Sequence, residues 1–409
     1  MKDLMVKYAE VLLDTCLKVE KDQPLFISAN PERLDFIRIV SELAYKRGVR
    51  DIYYDLIDPY LKHDALINLS VEDLKETNFF NKKMWDEYAK RKAAFLMLAS
   101  ETPGLMKDVD PKKIKELTAY SYTTRKFFDS ERDKSRLSWC IAAVPTYAWA
   151  SSLFKDSDNP VDDLWNKIFD VCLIKNDNPE LEWDKKLSRL ERIADKLNNY
   201  QFEELIYKSK NGTDFRIKLP NNHLWATGYE YLENGKKVLV NFPTEEIFTS
   251  PKYDTAEGIV YSSKPLNYNG VTITDFSISF EGGKASFRSA KEGADTLKEM
   301  ISVCQNSEYL GEIALVAYDS PISNTKMVFG ETLFDENAAC HIALGDSFPE
   351  CIKDGTKMSK DELYELGINK CDSHVDFMIG TKDLSIVGIT KDKKEIEIFN
   401  SGNFSEYFN

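Results

Sequence analysis

Histidine is scarce in this 409-residue chain, with four copies, and none sits in an HExxH motif, which removes the helix-borne zinc protease. GxSxG is absent as well, and with it the serine-hydrolase elbow. Neither GxGxxG nor GxxxxGK[ST] occurs, so no phosphate-cradling loop for a dinucleotide or nucleotide is expected. The seven cysteines are odd in number and contain no CxxC pair; reduced thiols in the cytoplasm are the expectation. There is no run of about 18 apolar residues, and the N-terminal MKDLMVKYAEVLLDTC lacks the uninterrupted apolar core of a signal peptide, so no membrane partner is expected. Positive charge is also short. Fifty-four Lys and Arg against 68 Asp and Glu leave a net charge of −14, which argues against nucleic acid or an anionic lipid surface as a partner.

What is present reads as an ordered α+β chain of two domains. From residue 1 to about 200, helical and strand-like stretches alternate. PLFISA and VRDIYYDL flank the amphipathic PERLDFIRIVSELAYKRG, and AAFLMLAS and SWCIAAVP are short apolar runs of the kind that buried strands give in a largely parallel sheet. An N-terminal α/β layered domain over 1–200 follows. The charged helical pattern DKKLSRLERIADKLNNY connects it to residues 201–409, where the period changes to two. LIYKSK, TDFRIKLP, KKVLVNF, GIVYSS, GEIALVAY, HVDFMIG, LSIVGIT and EIEIFN all read as strands, with AKEGADTLKEMISVC as the one helical exception. A mostly antiparallel C-terminal domain, a curved sheet or partial barrel, is the natural closure.

Chemistry concentrates in this second half. In SHVDFMIG the alternation puts His374, Asp376 and Met378 on one side of a strand, so an imidazole and a carboxylate project together, a pair that suits zinc. The plainer alternative is an aspartate that only orients a core histidine. Glu312, in the apolar run LGEIALV, needs a partner if it is buried, because an unpaired buried charge is costly. Glu245 and Glu246 lie between Pro243 and Pro251, either at a turn that presents both carboxylates or in the first turn of a helix capped by Thr244. With His341 these give five candidate ligands, Glu246, Glu312, His341, His374 and Asp376. That exceeds what one zinc uses and fits two ions with bridging carboxylates. Cys340 and Cys371 lie near the candidates and are expected to be buried, inert thiols. His63 is expected at the surface and His223 in a structural role.

The blocks NFPTEEIFTSP, GEIALV, TLFDENAACHIALG and HVDFMIG resemble the signature blocks of the thermophilic metallo-aminopeptidases, the aminopeptidase T and S family. SWCIAAVPTYAWA, LWNKIFDVC and GTDFRIKLP extend the likeness nearly end to end. The resemblance implies a metal-dependent aminopeptidase that releases N-terminal residues from short peptides, through two divalent cations, zinc or cobalt, that share an activated water. It places the metal ligands on Glu246, Glu312, His341, His374 and Asp376. Glu245, by its adjacency to Glu246, is the candidate general base. A homodimer is implied too. One position departs from the pattern: the family usually has tyrosine seven residues after the first ligand histidine, and here that residue is Phe348. The departure keeps open a degenerate member that binds metal or peptide with little turnover, and a metal-dependent amidohydrolase of small amides remains the competing chemistry.

Overall fold

The chain, described over residues 1–77 and 79–408 in a computed structural model, divides into two compact units. The first comprises Met1–Lys113, Thr123–Leu187 and Gly228–Thr244; the second comprises Ile114–Tyr122, Ser188–Thr227 and Glu245–Asn409. The division falls inside the long helix Pro179–Tyr200.

Each unit contains a five-stranded sheet. In chain order the ten strands are β1 (Leu25–Ala29), β2 (Ile52–Leu56), β3 (Ala94–Ala99), β4 (Trp139–Ala143), β5 (Ala226–Thr227), β6 (Asn241–Phe242), β7 (Ile247–Thr249), β8 (Leu310–Leu315), β9 (His341–Gly345) and β10 (His374–Met378). The first unit's sheet runs β6-β4-β3-β1-β2 and is parallel throughout. Its inner strands are near-continuous apolar runs because helices cover a parallel sheet. The helix Leu34–Lys46, between β1 and β2, buries Phe36, Ile37, Val40 and Ala44 at helical spacing. Phe26, Trp85, Phe95 and Phe128 close an aromatic core around β1 and β3.

The second unit is mostly antiparallel. An eight-stranded sheet joins 284–289, 277–281, 257–261, 214–218, 204–208, 385–389, 395–400 and 403–404 in that spatial order. The smaller sheet runs β10-β9-β8-β7-β5, again antiparallel. Helices are more numerous here than the period-two pattern led us to expect. Besides Ala294–Ile301 there are Pro321–Asn324, Thr332–Glu336 and Lys360–Glu365. Each spans fewer than two turns, too little to establish an apolar stripe. Lys360–Glu365 did carry a readable start, since Ser359 and Glu362 form a reciprocal capping box.

Candidate metal centre

The small sheet of the second unit brings the candidate ligands onto one face. Ala343 of β9 lies opposite Glu312 of β8 on one side and opposite Asp376 of β10 on the other. Residues directly opposite in an antiparallel pair share a face, so Glu312, Ala343 and Asp376 form one row. His341, two positions before Ala343, projects from the same face, as does His374 opposite Gly345. The middle strand therefore offers only Ala343 and Gly345 beneath the gap between Glu312, His374 and Asp376. Their small size leaves room that a larger side chain would fill.

Two glycines make this face possible. A Cβ on Gly345, whose φ is +114°, would stand 1.9 Å from the carbonyl oxygen of Ser373. One on Gly311 would stand 2.0 Å from that of Asp346. At Gly311 the register between β8 and β9 slips, and this bulge sets the facing of the next residue, Glu312. Glu246 enters from the segment before β7. Thr244–Glu246 are not helical and Ile247 begins a strand, so the helix-cap alternative for this pair does not hold.

The donor atoms form two overlapping groups. Glu246, Glu312 and His341 each bring one atom within 4.8 Å of the others, and Glu312, His374 and Asp376 do the same. Glu312 belongs to both. His341 Nε2 is 3.2 Å from Glu246 Oε2, and His374 Nε2 is 3.1 Å from Glu312 Oε2 and 3.3 Å from Asp376 Oδ1.

Both imidazoles are oriented from behind. His341 Nδ1 lies 3.0 Å from the carbonyl of Glu336 and 3.2 Å from that of Ala339, and His374 Nδ1 lies 2.8 Å from the carbonyl of Asp346. A carbonyl only accepts, so each Nδ1 carries a proton and donates, which assigns the tautomer from the hydrogen bonding. Each Nε2 faces carboxylate oxygens, to which it donates as an imidazolium or, with a cation between them, turns its lone pair to the cation. Asp376 Oδ1 is correspondingly buried with no hydrogen-bond partner. A backbone-oriented histidine facing carboxylates is the arrangement of a metal ligand.

Electrostatics lead to the same place. Burial pulls His341 down, but Glu246, aided by Glu312 and Asp376, outweighs it and holds the imidazole up at about 10. His374 is raised well above its ordinary value by Asp376 and Glu312, against the effect of burial. Burial pushes Glu312 up to about 7 despite His374. The cluster is short of positive charge, and a divalent cation supplies it while leaving the imidazoles neutral to coordinate. The residues present fit such an ion.

Glu336 was not anticipated from the sequence. It ends the helix Thr332–Glu336 and is buried, and its carboxyl is pushed well up by burial and by the charges of Asp376 and Glu246. The readable trace was an acid five residues before His341, between Asp335 and Asn337 in FDENAACH. Asn337, fully buried, holds two parts of this region together: its Nδ2 lies 3.3 Å from Glu336 Oε1, and its Oδ1 accepts from the backbone N–H of Glu245 at 2.6 Å. Glu245 is buried but is in neither donor group. Phe348 packs its ring 5.0 Å from the imidazole of His374 and 5.2 Å from Phe248.

The other reactive side chains lie elsewhere. The Cys340 thiol, pushed up to about 12 by burial, bonds the backbone of Val316. Cys371 contacts Cys304. His63 bonds Asp108 at 2.9 Å on the surface, and His223 is buried with Nδ1 on the carbonyl of Pro220.

Similarity to known proteins runs along nearly the whole chain. The family model described as thermophilic metalloprotease (M29) matches residues 1–404. Aminopeptidase 2 of Geobacillus stearothermophilus is 38% identical over 98% of this chain and 97% of its own length. Aminopeptidase AmpS of Bacillus subtilis (strain 168) is 36% identical over 97% of each. The solved structure of wild-type AmpT from Thermus thermophilus superposes with a TM-score of 0.89, at 28% identity, over 98% of this chain and 99% of that one. On that full-length match the chain belongs to the thermophilic metalloprotease (M29) family.

Proposed function

We propose that this metal-dependent aminopeptidase releases N-terminal residues from short peptides at a dinuclear centre. Glu246 and His341 would hold one divalent cation, zinc or cobalt, His374 and Asp376 the second, and Glu312 would bridge them. The observation that carries this reading is that Glu312 belongs to both donor groups. Bound ions of this kind lower the pKa of a water toward neutrality and polarise the scissile carbonyl.

The protein's own groups do the rest. The carbonyls of Glu336, Ala339 and Asp346 hold the two imidazoles in the tautomer that leaves Nε2 available. Glu245, adjacent to Glu246, is assigned the proton of the attacking water and its delivery to the leaving amine. A second reading gives that role to Glu336, favoured by its electrostatic contact with Asp376, Glu246, His341 and Glu312. The carboxylate that is not the base would bind the ammonium of the substrate's first residue, confining cleavage to that residue. A homodimer is part of the same reading and rests on the family resemblance; the seven free cysteines support a reducing compartment, the cytoplasm.

The test is metal analysis paired with hydrolysis of free and N-acetylated aminoacyl substrates, before and after chelation. Two ions per chain, activity lost on chelation and no cleavage of acetylated substrates are expected. Equal cleavage of both substrates would favour the amidohydrolase, and bound metal without turnover the degenerate member.

A further inference from the structure

Two cysteines of the second unit touch. Cys304, half-buried after the helix Ala294–Ile301, and Cys371, buried in the loop before β10, have their Sγ atoms 3.2 Å apart. Their loops are laced together by the neighbouring residues. Asn306 Nδ2 donates to the carbonyl of Lys370 at 3.0 Å, Asn369 Nδ2 donates to that of Asn306 at 3.0 Å, and Cys304 N–H donates to Ser307 Oγ at 3.2 Å. The sulfurs are thus held in contact from both sides. Bonding them requires an approach of roughly 1.1 Å to the ~2.05 Å of a disulfide.

The same loop supports the proposed metal ligand His374. Cys371 N–H donates to Asp346 Oδ1 at 3.1 Å, and Ser373 N–H donates to Cys371 Sγ at 3.4 Å. Asp346 N–H in turn donates to the Ser373 carbonyl at 2.6 Å, while the carbonyl of Asp346 takes the Nδ1 proton of His374. Any displacement of Cys371 is felt at the group that orients the imidazole.

We propose that Cys304 and Cys371 are a site of reversible oxidative modification, closed to an intrachain disulfide by hydrogen peroxide, and that closure shifts the Asp346 support of His374. The Cys304 thiolate attacks a peroxide oxygen, the O–O bond breaks, and Cys304 becomes a sulfenic acid as hydroxide leaves. Cys371 then loses its proton and attacks the sulfenic sulfur, forming the S–S bond and expelling the second oxygen as water. Two thiols and one peroxide yield one disulfide and two waters. The division of roles follows the surroundings: Cys304 is the more exposed, and the Cys371 thiol with the Asp372 N–H pulls it down, whereas Cys371 is pushed up by Cys304 and by burial and keeps its proton. Unlike the structural disulfides of secreted proteins, such a pair belongs to the transient, redox-responsive kind found in reducing compartments.

The effect on turnover rests on the proposed function, so the test separates the two. The metal-loaded, full-length protein is treated with equimolar hydrogen peroxide, blocked with a thiol alkylator and mapped without reduction. A peptide pair linked through Cys304 and Cys371, reversed by dithiothreitol and absent in Cys304→Ser and Cys371→Ser, is expected; failure to find it would overturn the modification site. Coupling is read twice. The ring-nitrogen NMR signal of His374, identifiable among four imidazoles, should shift on oxidation of wild type and not of Cys304→Ser, whether or not peptides are cleaved. Hydrolysis should fall roughly tenfold and recover on reduction. A linked pair with an unmoved His374 signal would remove the coupling, whereas a reduced protein with no hydrolysis would count against the function alone.

Discussion

The two five-stranded sheets have the same number of strands but differ in how deeply they are buried and in what they bury. In the first unit, β3 and β4 bury alanine, leucine, phenylalanine and cysteine side chains, and the one acid within the parallel strands, Asp55, sits on the edge strand β2 near Ser28 Oγ at 3.4 Å. In the second unit, every residue of β8 and β9 is buried, yet the same face carries Glu312 and His341. Burying charge costs free energy that apolar packing does not. A fold carries such a face when the charges bind something. The second sheet is thus set apart by burying charge at its most enclosed positions.

The sharpest way to break the comparison is to remove the polar row. His374→Ala or Asp376→Ala should lower bound metal and reduce kcat/KM by about a thousandfold or more, measured by metal analysis and peptide hydrolysis. Full metal content in either variant would sink the ligand assignment.

Next comes the choice of base. Glu245→Gln should retain both ions while kcat falls by roughly 10²–10⁴, and Glu336→Gln should then be the milder change. The opposite ranking, with metal retained in both, transfers the role to Glu336. The floor of the site is tested by Ala343→Leu, which fills the space between Glu312 and Asp376. Metal affinity should drop at least about tenfold while the fold survives, a loss that a mere packing position would not produce.

Phe348→Tyr adds one hydroxyl beside His374. If a phenolic donor to the developing oxyanion is what this chain lacks, kcat should rise roughly tenfold with metal unchanged. An unchanged kcat in a metal-loaded variant would remove the only sequence support for a degenerate enzyme.

The smallest effect concerns stability. Burial pulls the imidazole of His223 down to about 4. The unfolded chain, with a histidine pKa near 6.5, binds the proton first as pH falls, so stability is intact above about 6.5 and lost progressively toward 4, by up to ~3 kcal/mol. Urea unfolding of wild type and His223→Gln at pH 7 and near pH 4 should show the larger acid loss in wild type.

Much of this was legible along the chain. The alternation in HVDFM assigned His374 and Asp376 to one face, and the acid in LGEIALV announced a buried charge, because side-chain direction in a strand follows from local backbone geometry. The apolar runs of β1, β3 and β4 were equally plain. Glu336 was not, since its short helix has no period to read and its proximity to Asp376 and Glu246 crosses 40 and 90 residues of sequence, roughly the spans a pairing pattern has to bridge.

By itself, then, the sequence located the longer strands, the facing of side chains along them and five candidate ligands. The tertiary structure alone decided that Ala343 lies between Glu312 and Asp376, that the Gly311 bulge sets the register at Glu312, that Phe348 sits on His374 and that Cys304 meets Cys371. The physical reason is that direction along a strand is a property of neighbouring dihedrals, whereas register and partner are set by pairing between distant segments, which local periodicity does not encode.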